Sequence, residues 1–88
     1  VDLTRLDRIL DSVRGDVDAA IVAVSDHRLG SVIHLAATAD DTTEIVEKFN
    51  ARVLPFERIR GVHLVSEIPR TALQKLMRSR LRDALERR

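Results

Sequence analysis

Six consecutive apolar residues, Ala19-Ala-Ile-Val-Ala-Val24, restrict the fold more than any other stretch of the chain. The run is short, partly β-branched and without a polar side. It reads as a central strand buried on both faces, and such a strand needs material packed above and below its sheet. The remainder of an 88-residue chain has to supply that material. A chain of this size makes one small domain with a modest core. It leaves little room for an enclosed pocket of roughly 300 Å³ or more, the usual size of a ligand site. A self-sufficient enzyme is therefore not expected.

The covering elements are legible around that strand. Leu3, Leu6, Ile9, Leu10 and Val13 recur at helical spacing, which predicts a helix over 4–14. Thr4 and Asp7 suit a capping-box variant at its start, and Gly15 suits its C-terminus. Ser25 to Gly30 is a turn by composition, and a second strand follows over 31–38. Val32, His34 and Ala36 share one of its faces, and Ile33, Leu35 and Ala37 the other. The short connection predicts an antiparallel hairpin. Asp41 or Thr42 can cap a second helix with the stripe Ile45, Val46, Phe49 and Val53, ended by Pro55. A third strand is expected over 60–65, antiparallel to the first and beside it. The last helix is expected over 72–87, burying Leu73, Leu76, Met77, Leu81, Ala84 and Leu85, with Lys75, Arg78 and Arg82 on its wet face. The order is α-β-β-α-β-α: an α+β fold, a small three-stranded sheet with about three helices.

Charge and composition exclude several functions. The net charge is +1, so no global field recruits nucleic acid or membrane. Basic residues crowd the end of the chain, at Arg70, Lys75, Arg78, Arg80, Arg82, Arg87 and Arg88. No aromatic residue is interleaved there for base stacking, since only Phe49 and Phe56 exist. With no cysteine there is neither a disulfide framework nor a thiolate metal site, which fits a reducing, cytoplasmic compartment. No apolar run reaches the length of a membrane helix. His34 and His63 fall on strands that are not expected to be adjacent, and His27 in a turn, so no metal site is expected. The first residue is Val rather than Met, so a fragment or a processed form is expected.

One stretch carries chemistry: Pro69-Arg-Thr-Ala-Leu-Gln-Lys75, which follows the third strand. Lysine is scarce, with Lys48 and Lys75 the two present. A lysine kept among so many arginines suggests a need for a compact point charge. The stretch resembles the last motif of the acyl-adenylate-forming enzymes: Pro, a basic residue, Thr, two variable residues, usually Gly, then Lys. Three further anchors fall in register. Val24-Ser-Asp-His-Arg-Leu-Gly30, Leu54-Pro55-Phe56 with Ile59, and Val65-Ser-Glu-Ile-Pro69 are similar to that family's small C-terminal domain, so the resemblance covers almost the whole chain. Two positions depart from it. Gln74 stands where the motif usually has Gly, and Ser31 where Glu or Gln is common. A glutamine resists the φ > 0 backbone that glycine allows, so a helix starting a turn earlier is expected, which would re-aim Lys75.

The resemblance implies that residues 1–88 are the C-terminal lid domain of an AMP-forming acyl-CoA synthetase. The large N-terminal domain that binds ATP and the carboxylic acid would be its partner. After Lys75 the chain continues Leu-Met-Arg-Ser-Arg, more like acyl-CoA synthetases than peptide-synthetase domains, and Thr71-Ala-Leu73 is similar to o-succinylbenzoate–CoA ligases. The resemblance makes Lys75 the adenylation lysine, with Arg70 and Thr71 as cofactor-contacting residues, although Thr71 also suits a helix cap. ATP, Mg²⁺ and CoA belong to the full-length enzyme, and the domain alone is expected to bind none of them and to be inactive. Two other readings use the same residues. One is a non-catalytic α+β module whose basic helix meets an acidic partner or nucleic acid. The other is a degenerate adenylate-enzyme domain, suggested by Gln74.

Overall fold

The computed structural model describes residues 2–87; Val1 and Arg88, the last arginine of the basic run, lie outside the described residues. Helix α1 spans Leu3–Val13, strand β1 Ala19–Asp26, strand β2 Gly30–Ala37, helix α2 Thr43–Asn50, strand β3 Ile59–Leu64 and helix α3 Arg78–Glu86. A short 3-10 turn, Pro55–Glu57, leads into β3. The α-β-β-α-β-α order and the α+β class are as read from the sequence.

Helix α1 is capped two residues earlier than Thr4 suggests. The Asp2 carboxylate accepts from the Arg5 N–H at 3.2 Å, which leaves Asp7 for a different task. The chain leaves the helix through Gly15 at φ 59°, the left-handed conformation that glycine takes most readily. Strands β1 and β2 pair antiparallel from Ala19↔Ala37 to Asp26↔Gly30. Their turn is tied by the Asp26 carboxylate, which accepts from the N–H groups of Arg28 and Leu29, both at 2.8 Å. The Leu29 bond first, then that of Arg28, holds the Asp26 carboxyl below the usual carboxylate range.

The sheet order is β1-β2-β3, with β3 parallel to β2. Strand β3 does run antiparallel to β1, but it is not beside it: β2 takes the centre and β1 an edge. Helix α2 is the reason. It makes the β2-to-β3 connection a helical crossover, the usual link between parallel neighbours. The first four residues of the apolar run are buried from both sides while lying at a sheet edge, and Ala23 and Val24 are partly buried. Ala19, Ala20, Ile21 and Val22 are each 3% exposed or less.

Each sheet face has its own cluster. Against α1 and α2 lie Ile21, Ile33, Leu35 and Ile59, packed with Leu6, Leu10, Ile45 and Phe49. Against α3 lie Ala20, Val22 and Ala36, packed with Ile68, Leu81 and Leu85. Helix α2 stops at Asn50, well before Pro55, which instead opens the 3-10 turn. Helix α3 begins at Arg78 rather than at residue 72. Leu73, expected in its buried stripe, is 92% exposed, and Ala84 also faces out.

Candidate functional site

The stretch before α3 is built as a small hairpin. Ile68 is pinned in the α3-side cluster and fixes the approach. Arg70 and Leu76 form an isolated antiparallel bridge. Between them the Thr71 N–H donates to the Lys75 carbonyl at 2.9 Å, and the Gln74 N–H to the Thr71 carbonyl at 2.8 Å. The result is a three-residue loop, Ala72-Leu73-Gln74, whose last residue sits in the left-handed region, a recurrent hairpin geometry. Gln74 has φ 68°, the one positive φ of a non-glycine residue among the described residues. The expectation that glutamine would refuse this conformation, and so extend the helix backward, is overturned. The hydrogen bonds that close the loop outweigh a left-handed penalty of roughly 1–2 kcal/mol. The Met77 N–H then donates to the Pro69 carbonyl at 3.0 Å, and only beyond it does the chain turn helical.

The three expected site residues occupy this hairpin with different surroundings. Lys75 is exposed and makes no ion pair among the described residues, while its N–H and carbonyl are both engaged by Thr71. Thr71 caps nothing in α3. Its hydroxyl accepts from the Lys75 N–H at 3.2 Å, across the loop, because the residue lies too far ahead of Arg78 to reach the helix. Arg70 is 23% exposed and donates to the Asp18 carboxylate at 2.8 Å, with a longer contact of 3.5 Å to the Gln74 carbonyl. An open cleft of about 450 Å³ beside the loop is lined by Asp18, Arg70, Thr71, Gln74, Met77 and Arg80.

Arg78 departs from its expected place on the wet face with Lys75 and Arg82. It opens α3 and donates to the Ile21 carbonyl of β1 and to the Asp7 carboxylate of α1, both at 2.5 Å. Periodicity gave no hint of this, since Arg78 fits a helix's polar side equally well. On the other side of the sheet, Glu57 is 3% exposed. Its carboxylate accepts from Arg5 and from the Leu54 N–H, and these bonds, Arg5 first, hold it below the usual carboxylate range.

The histidines are closer than expected. Because β3 pairs with β2, His34 and His63 are neighbours, with Nδ1 and Nε2 2.9 Å apart and stacked rings. Gly61 makes this possible, since a Cβ there would come within 2.8 Å of the His34 ring. Among the described residues no group of three or more His, Cys, Asp or Glu side chains could hold a metal ion. No helix among them is long and apolar enough to cross a membrane.

No family model matches the chain. Individual proteins do. Acetyl-coenzyme A synthetase of Mycobacterium tuberculosis is 38% identical over 82 residues, covering 84% of this chain and 13% of that protein. 4-Coumarate–CoA ligase-like 9 of Oryza sativa subsp. japonica is 31% identical over 88 residues, covering 94% of this chain and 16% of that protein. Among solved structures, MatB of Rhodopseudomonas palustris superposes with a TM-score of 0.76 over 98% of this chain and 18% of its own, at 19% identity, which shows the fold alone. The amide bond synthetase McbA of Marinactinospora thermotolerans gives 0.74 over 97% of this chain and 18% of its own, at 25% identity. The chain thus spans 13–16% of the length of these two relatives. The chain belongs to the family of its relatives, the AMP-forming acyl-CoA synthetases and ligases, and what it shares with them is one small domain of an adenylate-forming enzyme.

Proposed function

We propose that this chain is the mobile C-terminal domain of an AMP-forming acyl-CoA synthetase, and that Lys75 is the charge it brings to carboxylate adenylation. The observation that carries the reading is the hairpin. It holds the Lys75 backbone at both its N–H and its carbonyl while leaving the ammonium exposed and without an ion pair among the described residues. In adenylation a carboxylate oxygen attacks the α-phosphorus of ATP, a P–O bond forms, and the bond to pyrophosphate breaks. Two anions approach and negative charge builds on the phosphoryl oxygens. An ammonium placed there offsets the repulsion most where charge develops. ATP, Mg²⁺, the acid and CoA are assigned to the large domain and to the seam it forms with this one. Rotation of the small domain then withdraws Lys75, and thioester formation with CoA follows. Alone, the domain adenylates nothing.

Within the group, Thr71-Ala-Leu73 supports an o-succinylbenzoate–CoA ligase-like member, and a substrate profile of the full-length ligase led by acetate overturns that narrower reading. The absence of cysteine fits a cytoplasmic setting. The degenerate alternative rests on Gln74, and its φ of 68° removes the backbone argument for it. The test is acid-dependent pyrophosphate release by the full-length ligase. Lys75→Ala is expected to lower the rate about 10²–10³-fold. A rate near the parent value refutes the assignment.

A further inference from the structure

We propose that Asp18 is a positioning residue for adenylation, holding the Lys75 hairpin in place through the guanidinium of Arg70. The inference rests on the reading of Lys75 given above. Left to itself the hairpin is weakly held. Ala72, Leu73 and Gln74 are all exposed and bury nothing, and a short hairpin on its own is marginally stable in water. Gln74 adds left-handed strain that favours opening. An anchor on the body of the domain is needed. Leu76 packs against the α3-side cluster without direction, and among the described residues the polar side-chain link from hairpin to body is Arg70 to Asp18.

Both ends of that link suit the task. Asp18 directly precedes β1, and its carbonyl accepts from the Thr38 N–H at 3.1 Å and the Thr38 hydroxyl at 3.3 Å. Its backbone is therefore fixed where β1 and β2 meet. From there the 2.8 Å bond fixes one Arg70 nitrogen, and the other points to the Gln74 carbonyl, part of the peptide that leads into Lys75. A planar fork with one arm bonded at 2.8 Å and the other aimed at a carbonyl 3.5 Å away sets direction as well as distance, which an ammonium in its place would not do. The path runs from sheet to carboxylate, to guanidinium, to the peptide before Lys75. Misplacing a reacting charge by about 1 Å can cost about 10²-fold in rate, so the tether bears on chemistry without touching substrate.

This role differs from direct contact of Arg70 with nucleotide, and the full-length ligase distinguishes the two. Adenylation is read as acid-dependent pyrophosphate release, and the second half-reaction as thioester formation from supplied acyl-adenylate and CoA. Asp18→Ala and the isosteric Asp18→Asn are expected to lower adenylation turnover about 10–100-fold with the KM for ATP and acid unchanged, and to leave the second half-reaction within about twofold. Asp18→Glu, which keeps the carboxylate, is expected to recover most of the rate. Arg70→Ala is expected to cost as much as Asp18→Ala, and the double variant no more than either single one. Independent, additive losses overturn the proposal, as does an equal fall in both half-reactions. A rise in ATP KM with Arg70→Ala beside a silent Asp18→Asn also overturns it and makes Arg70 a nucleotide contact. Lys75→Ala, run in parallel, separates the two claims. If that variant adenylates normally, the reading of the lysine fails. If it is inactive while every Asp18 variant is normal, only the positioning role fails.

Discussion

The two faces of the sheet are held by different forces. Toward α1 and α2 the contact is broad and apolar, with Phe49, Leu6, Leu10 and Leu35 all 2% exposed or less. Toward α3 the sheet presents small side chains, Ala20, Val22 and Ala36, and the helix answers with Leu81 and Leu85. Guanidinium forks supplement this thinner layer: Arg78 on the Ile21 carbonyl and Asp7, and Arg70 on Asp18. Apolar burial is non-directional and sets how firmly layers adhere. Charge-assisted forks are directional and set where a segment points. The broad face has a fork of its own, Arg5 on Glu57, added to an apolar layer that already holds it, whereas the face that carries the candidate chemistry leans on its forks for lack of such a layer.

Substitutions can break this contrast in order of size. Phe49→Ala, on the broad face, is expected to cost about 3–5 kcal/mol of stability, measured by denaturant unfolding. Arg78→Ala, on the thin face, is expected to cost about 1.5–3 kcal/mol, the range for hydrogen bonds to a charged group, and to loosen α3 more than α1 in hydrogen exchange. Equal losses of protection in the two helices would erase the distinction. Gln74→Gly relieves left-handed strain and is expected to raise stability by about 1 kcal/mol, part of the gain being lost to the freer unfolded chain. A destabilised variant would mean that the glutamine side chain holds the loop.

Glu57 adds a pH-dependent test on the broad face. Its folded-state carboxyl lies below the usual range because Arg5, and then the Leu54 N–H, bind the ionised form. That contribution is fully present above the unfolded carboxyl's pKa and is lost as pH falls through the folded one. Glu57→Gln should therefore lower Tm at neutral pH. The gap from the parent should close as the solution is made acid through the carboxylate range. A gap that stays constant would rule out the carboxylate as its cause.

The elements were legible because local patterns decide them. The apolar run at Ala19–Val24, the alternation of β2 and the helical stripe of α1 each state their own period. The pairing order was not, because nothing local in Ile59–Leu64 distinguishes a neighbour of β1 from a neighbour of β2, and the meeting of His34 with His63 follows from that order. The hairpin was misread for a related reason. Leu73, Leu76 and Met77 keep helical spacing while Met77 bonds to Pro69 and Lys75 to Thr71, so the apparent period of 72–77 belongs to a loop. The motif located Lys75 without help from packing. Asp18, Asp7 and Arg78 carried no sequence signal, since their partners lie 52 and 71 residues away along the chain.

The tethered hairpin also has a mechanical consequence. The domain measures 34 × 27 × 24 Å along its principal axes. A loop that hung loosely from it would follow a rotation of the body only on average. A loop bolted to the end of β1 follows it as the tip of a lever follows its arm. In the rotation proposed above, the Lys75 backbone would then travel with the body as one piece.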